Sequence, residues 1–202
     1  MKTARKAVLD KGLISKKASF KDIPKLFLMI RSIIIDEFYD IWIKDLSSSP
    51  EYGHFSATKE VFRNLVGKST IDGGLLNWIL MKPIVKSRRR EKQEKIANSF
   101  IEARIKYQEL LGEDNVMIMP TLGLVAPKHK GFNRASFLNP RVNGLFTSHT
   151  LGNYLDLSVV CVPAWKFRDP KTGLPASVSL MCAPGGEGRL FATAKIVESA
   201  LN

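Results

Sequence analysis

The first half of the chain places apolar residues at helical spacing. Residues 3–11 predict a short helix that stops at Gly12, and residues 22–46 predict a long one. The long segment is apolar almost throughout, apart from one polar stripe that recurs at every fourth position: Ser32, Asp36, Asp40 and Lys44. We therefore expect a helix that is buried on nearly all sides, either within protein or partly in lipid.

Three further helices are predicted before residue 112. They cover 56–66, 71–82 and 86–111, and the second is expected to end or kink at Pro83. The third begins with a dense run of basic residues, has one apolar face and stops at Gly112. The first 112 residues are therefore predicted to be mainly helical.

The rest of the chain changes to short apolar runs bounded by prolines and glycines. Three of these runs have the length and borders of buried strands: 116–119, 157–162 and 176–182. The second run is expected to end at Pro163, and the last two form a hairpin-like pair. Helices are predicted over 143–152 and 187–201, and an ordered loop over 121–141. Residues 113–202 therefore combine strands with helices.

Composition indicates one folded globular domain. The chain has 202 residues, of which 45% are hydrophobic and 25% are charged. The two cysteines and three histidines lack metal-ligand spacing, so we expect no metal site. Cys161 and Cys182 fall within apolar strands, where buried and inert thiols are expected. The N-terminus lacks the apolar stretch of a secretory signal, which predicts a cytoplasmic location.

A net charge of +12 makes nucleic acid and anionic membrane surfaces the partners to consider. Residues 1–112 hold 22 basic against 13 acidic side chains, and residues 113–202 hold 9 against 6. The run Arg88–Arg90 has no interleaved aromatic residues and is typical of a solvated helix face. The alternative function is therefore a non-enzymatic basic protein that binds nucleic acid or anionic membrane through Lys82–Lys95, with nucleic acid less favoured.

The run Gly67-Lys68-Ser69-Thr70 ends like a phosphate-binding loop but does not complete one. The full motif needs a glycine where this chain has Phe62, and it follows a strand, whereas a helix is predicted here. The run is typical of a helix stop followed by a new N-cap, so nucleotide binding is not predicted.

Four segments follow one another in a distinctive order within residues 86–202. They are Gly112–Thr121 with Ala126-Pro127 behind it, Asn153–Pro163, the strand after Gly173-Leu174-Pro175, and Gly186–Leu190. This order resembles the amidase signature family, in which a strand ending in Pro-Thr and a Gly-Leu-Pro strand precede a closing helix. Within the family, Val125–His129 and the apolar residues 26–35 resemble the fatty-acid amide hydrolase branch.

The resemblance implies an α/β fold in which helices pack on a mixed β-sheet, with residues 1–202 forming one partial domain. It implies serine-dependent hydrolysis of a carboxylic or fatty-acid amide, without metal or cofactor. It also places Pro120, Thr121 and Asn153 in the wall of the substrate pocket. Four positions depart from the family pattern: Asp156, Ser158, Ser177 and Ser179.

The catalytic part of that family is missing from this sequence. The family's serine nucleophile lies in a Gly-Gly-Ser-Ser-Gly-Gly-Ser run that also builds the oxyanion hole, and a second serine and a lysine complete the triad. Gly73-Gly74 and Gly185-Gly186 are followed by other residues, so no catalytic residue is assigned. We expect an inactive C-terminal portion, whether fragment, split-gene product or degraded paralogue. Its expected partner is the missing N-terminal part or a second copy.

A membrane surface is the remaining expected partner. The apolar helix over 24–46 would contact lipid through Leu28, Ile30 and Ile34. Burying several such side chains outweighs three salt-screened arginines, so this helix, rather than Arg88–Arg90, is expected to govern peripheral membrane association. Burial of the same helix within the protein core is the alternative.

Overall fold

A computed structural model of the chain describes residues 1–17, 23–49, 55–86, 90–122 and 151–202. In these ranges the helices α1 to α7 are Lys2–Asp10, Ile23–Ser48, Ala57–Leu65, Gly73–Lys86, Arg90–Leu111, residues 151–155 and Glu187–Leu201. The strands β1 to β3 are Met117–Pro120, Ser158–Arg168 and Pro175–Cys182. The prediction of an α/β fold is confirmed.

The three strands form one antiparallel sheet in the order β1-β3-β2. Strand β3 lies in the centre, where its Ser179 is opposite Met119 of β1 and Cys161 of β2. The hairpin predicted for the last two strands is confirmed. All pairs among the described strands are antiparallel, so the parallel pairs of a mixed sheet are not found in this part of the chain.

Helix α7 covers one face of the sheet, because alternate strand residues and one stripe of the helix both present apolar side chains. The buried residues of this core are Val162, Ala164, Val178, Leu180 and Cys182 from the strands and Leu190, Ala194, Val197 and Leu201 from α7. Helix α1 adds Ala4 and Val8. The short N-terminal helix therefore packs into the same core as the C-terminal one.

Helix α6 lies close against β2. A Cβ atom added to Gly152 would stand 2.2 Å from a methyl carbon of Val159, so the absence of a side chain permits this approach. Gln108 of α5 donates a hydrogen bond of 2.9 Å to the carbonyl oxygen of Leu155. That bond connects the end of α6 to α5.

The chain divides into two compact units. The sheet, α1, α6 and α7 belong to the first unit, and α3, α4 and α2 from Pro24 onward belong to the second. The second unit has its own buried core: Leu46, Ile71, Leu76 and Ile79. A single partial domain over residues 1–202 stays a prediction.

Two elements continue past a proline. Helix α4 runs through Pro83 to Lys86, beyond the predicted end at residue 82. Strand β2 runs through Pro163 to Arg168, so the prediction that it ends at Pro163 is wrong. Among the described strands, β2 lies at the edge of the sheet, and an edge strand tolerates proline because its outward N–H groups need no partner strand.

Burial along α2 and β1 differs from the sequence pattern. Ser32, predicted on the polar stripe of α2, is buried, whereas Asp36, Asp40 and Lys44 are exposed. The residues of β1 are mostly half-buried rather than buried, because this strand lies at a sheet edge. Within the described ranges, no helix has the length and apolar character needed to cross a bilayer.

Candidate functional site

Thr121, predicted in the pocket wall, lies directly after β1 and is buried. Its N–H donates to the carbonyl oxygen of Ser177 over 3.1 Å, and its hydroxyl accepts a bond from Ser179 over 2.9 Å. Both partners belong to β3, so these bonds extend the pairing of β1 with β3 beyond Pro120. The Pro-Thr segment is thereby attached to the Gly-Leu-Pro strand.

Ser179 also reaches Cys161 in the opposite neighbouring strand. The Sγ atom of Cys161 lies 3.4 Å from the Oγ atom of Ser179. Ser179 is 1% exposed, whereas Cys161 is open to solvent. The prediction of a buried thiol is therefore wrong for Cys161. Alternation along β2 explains this, because Val162 points into the core beneath α7 and Cys161 points to the other face.

In this row of a thiol and two hydroxyl groups, the described partners of Ser179 do not activate it as a nucleophile. In the part of the chain that the structure describes, the Ser179 hydroxyl is bonded to Thr121 and Cys161, and neither of them is a base. A serine nucleophile needs a base within hydrogen-bonding distance and access to its substrate. Among the described residues, Ser179 therefore links β3 to both of its neighbours rather than forming a catalytic dyad.

The other two predicted wall residues stand apart from this row. Pro120 is exposed and lies opposite Val178 at the end of β1. Asn153 is exposed on α6 and takes no part in the row. Of the three predicted wall residues, only Thr121 is bonded to the Ser179 hydroxyl. Sequence reasoning missed Ser179 and Cys161 as its neighbours, because a strand's alternation does not reveal which strand residue lies opposite.

A second polar cluster lies where β2 and α7 begin. The hydroxyl of Ser158 donates to Glu187 Oε1 over 2.7 Å, and the N–H of Gly185 donates to the same oxygen over 3.2 Å. These bonds, the one from Ser158 first, lower the pKa of Glu187. Burial and then the charge of Glu187 raise the pKa of the Cys182 thiol. The prediction of a buried thiol is confirmed for Cys182, and its inertness stays a prediction.

The segment Gly67–Thr70, which resembles the end of a phosphate-binding loop, donates hydrogen bonds to the Glu60 carboxylate. Glu60 of α3 is buried, and its side chain accepts bonds from the Ser69 hydroxyl over 3.1 Å and the Thr70 N–H over 3.0 Å. Burial acts to raise the pKa of Glu60, but the bonds from Arg63, Thr70 and Ser69 together lower it. The N-cap of α4 is Asp72, which bonds the N–H groups of its first turn. The Glu60 carboxylate thus occupies the Ser69 hydroxyl and the Thr70 N–H, which a bound phosphate would need as hydrogen-bond donors.

Lys82 and Lys95, the first and last residues of the proposed basic patch, contact other side chains. The Nζ atom of Lys82 lies 3.2 Å from Asp36 Oδ1 and 5.2 Å from the ring centre of Tyr39. The Nζ atom of Lys95 lies 2.9 Å from a carboxylate oxygen of Glu91. These contacts reduce the positive charge that the patch presents to a polyanion.

Several predicted contact residues are not described at the side-chain level. The side chains of Leu28, Ile30 and Arg88–Arg90 lie outside the described part of the chain. Ile34 is described and is half-buried. Lipid contact by these α2 residues stays a prediction.

No protein-family model matches this chain, and no curated protein is significantly similar to it. The resemblance to the amidase signature family stays a prediction, which rests on the motifs of residues 86–202 and on their order. Two of these motifs, the Pro-Thr end of β1 and the Gly-Leu-Pro strand β3, lie side by side in the sheet.

Proposed function

We propose that the chain forms the C-terminal portion of a serine-dependent hydrolase of carboxylic amides, and that it supplies scaffold rather than nucleophile. The observation that carries the proposal is the pairing of β1 with β3. These two segments are 58 positions apart from Thr121 to Ser179, and the resemblance identifies each of them separately. Their pairing supports one continuous pocket wall built from both motifs.

In this proposal the catalytic groups and the scaffold lie in different portions of the enzyme. This sequence contains no Gly-Gly-Ser-Ser-Gly-Gly-Ser run, so the serine nucleophile, the lysine base and the oxyanion hole would be contributed by an N-terminal amidase portion. Losing one oxyanion-hole donor alone costs about 10²–10³ in rate. With all three elements missing, the 202 residues alone should leave amide bonds intact. The fatty-acid amide class is favoured for the substrate, because residues 26–35 and 125–129 resemble that branch.

The proposal is tested on the gene and on its protein products. We expect the DNA upstream of the Met1 codon to encode the serine-rich run in frame. The longer product should hydrolyse a long-chain fatty amide and lose that activity with a fluorophosphonate, while residues 1–202 alone should show neither turnover nor labelling. A fluorophosphonate label on a serine of the 202-residue chain, together with turnover, would contradict the proposal.

A non-enzymatic basic protein remains the alternative function. It predicts retention on a polyanion column that falls as salt rises, because the binding would be electrostatic. The engaged lysines at Lys82 and Lys95 count against a strong polyanion site in this segment. Retention that disappears when Arg88–Arg90 are changed to Gln would favour this alternative over the amidase proposal.

A further inference from the structure

The end of β2 and the turn that follows it carry exposed apolar side chains. We call residues 165–174 the hairpin tip. Trp165 is 47% exposed, Phe167 is 48% exposed and Leu174 is 40% exposed. Three large exposed apolar side chains thus lie within ten positions of the chain, whereas a single exposed apolar residue would need no explanation.

The aromatic side chains of the tip are separated from one of its cations. Lys166 donates a hydrogen bond of 3.3 Å to the carbonyl oxygen of Ala200, so its side chain lies on the face of the sheet that α7 covers. Trp165 and Phe167, which precede and follow it, are both exposed, and the irregular register between Ala164 and Arg168 interrupts the regular alternation of β2 here. Arg168 lies over the Trp165 ring, 4.9 Å from its centre. This end of β2 therefore exposes two aromatic side chains, with a cation against the ring of one of them.

The charge of the tip is positive and its turn is ordered. Lys166, Arg168 and Lys171 are its cations, and Asp169 is its acidic residue. The carboxylate of Asp169 accepts bonds from Thr172, over 2.9 Å from the N–H and 2.6 Å from the hydroxyl. The carboxylate is thus used within the turn. Lys171 is exposed, and Arg168, whose Nε donates to the carbonyl oxygen of Trp165 over 3.3 Å, is exposed as well.

We propose that the hairpin tip inserts into the interface of an anionic lipid bilayer. Aromatic rings favour the level of the lipid headgroups, and neighbouring basic residues are attracted to anionic lipids. A nucleic-acid strand fits less well, because Arg168 covers one face of the Trp165 ring and Leu174 offers no stacking surface. This inference does not rest on the proposed amide hydrolysis.

The exposed surface of α2 is the less suitable membrane contact. Phe38 and Ile41 are exposed there, but Glu37 and Asp40 are exposed beside them. Carboxylates at an anionic surface are repelled, so α2 lacks the charge complementarity of the hairpin tip.

The test measures partitioning of the full 202-residue chain onto vesicles of phosphatidylcholine mixed with phosphatidylserine. We expect Trp165→Ala to weaken binding about tenfold or more. We expect Arg168→Gln and Lys171→Gln each to weaken it about fivefold, and only on vesicles that contain phosphatidylserine. Two exposed residues of α7 provide matched controls: Phe191→Ala and Lys195→Gln should bind like the unchanged chain.

A second measurement leaves the tip unaltered, in case a tip variant fails to fold. In a Trp42→Phe, Trp78→Phe protein, Trp165 is the sole tryptophan, and brominated lipid should quench its fluorescence. Absence of quenching would overturn the proposal. Vesicle binding that is lost in a Leu28→Ser, Ile30→Ser, Ile34→Ser variant but kept in the tip variants would also overturn it. The same holds if the tip binds an oligonucleotide but not vesicles, or if the tip mediates self-association of the chain instead of vesicle binding.

Discussion

Ser158 donates a 2.7 Å hydrogen bond to Glu187, which joins the first residue of β2 to the first residue of α7. The two residues are 29 positions apart, so the bond connects separate elements. It also gives the carboxylate a lower pKa in the folded chain, with further help from the Gly185 N–H.

Replacing Ser158 with alanine should make stability less dependent on acid pH. The folded chain lowers the pKa of Glu187 below the unfolded value of about 4.3, so its stabilisation is present above that value and is lost as pH falls through the folded pKa. Urea unfolding across pH should therefore show a less stable Ser158→Ala variant at neutral pH and no difference in strong acid. Ser199→Ala removes a hydroxyl bond within α7 and should give a pH-independent change. A constant difference for Ser158→Ala would contradict the assignment.

The two thiols should react at very different rates. Cys161 is exposed, whereas burial and then the charge of Glu187 raise the pKa of the Cys182 thiol and suppress its thiolate. In native protein a thiol reagent should modify one cysteine quickly, and mass spectrometry should locate it at Cys161. Modification of Cys182 should require denaturant. Equal rates at both sites would contradict the described packing of β2 and β3.

The carboxylate of Glu60 should contribute strongly to the stability of the second unit. Glu60→Gln removes the charge that accepts bonds from Arg63, Ser69 and Thr70, and we expect a loss of about 1–3 kcal/mol at neutral pH. Because the net shift lowers the pKa of Glu60, this contribution is present above pH about 4.3 and disappears as pH falls through the folded pKa.

An exposed glutamate provides the control for this prediction. Glu91 pairs with Lys95 on the surface of α5, where both side chains are 75% exposed. Glu91→Gln should therefore change the free energy of unfolding by less than about 0.5 kcal/mol. Equal losses for the two variants, measured by urea unfolding, would show that the Glu60 network is not specific.

Replacing Gly152 or Gly188 with alanine should change the stability of the chain in opposite directions. Gly152→Ala forces a Cβ atom to within 2.2 Å of a Val159 methyl carbon, and overpacking of this kind costs about 1–3 kcal/mol. Gly188 lies in α7 with open space around its Cβ position, so Gly188→Ala should stabilise the chain by up to about 1 kcal/mol. Thermal melts of both variants test the pair. A neutral Gly152→Ala would mean that α6 can move away from β2.

Local pattern predicted elements that depend on short-range chemistry. The helix predicted over 187–201 coincides with α7, and the strand predicted over 176–182 differs from β3 by one residue. In both cases the period of apolar residues and the bordering glycines and prolines lie within a few positions of one another. Elements that pass through proline were harder to predict, because the tolerance of Pro163 depends on β2 being an edge strand.

The sequence by itself determined the α/β class, the hairpin of β2 and β3, and the placement of Thr121 directly after a strand. Only the tertiary structure decided that Thr121 and Cys161 both meet Ser179, that Glu60 closes on Ser69 and Thr70, and that Cys161 faces solvent. The physical reason is the separation along the chain of the residues that determine each feature. Periodicity reports which face of an element is apolar, whereas strand order and register depend on contacts between residues far apart in the chain.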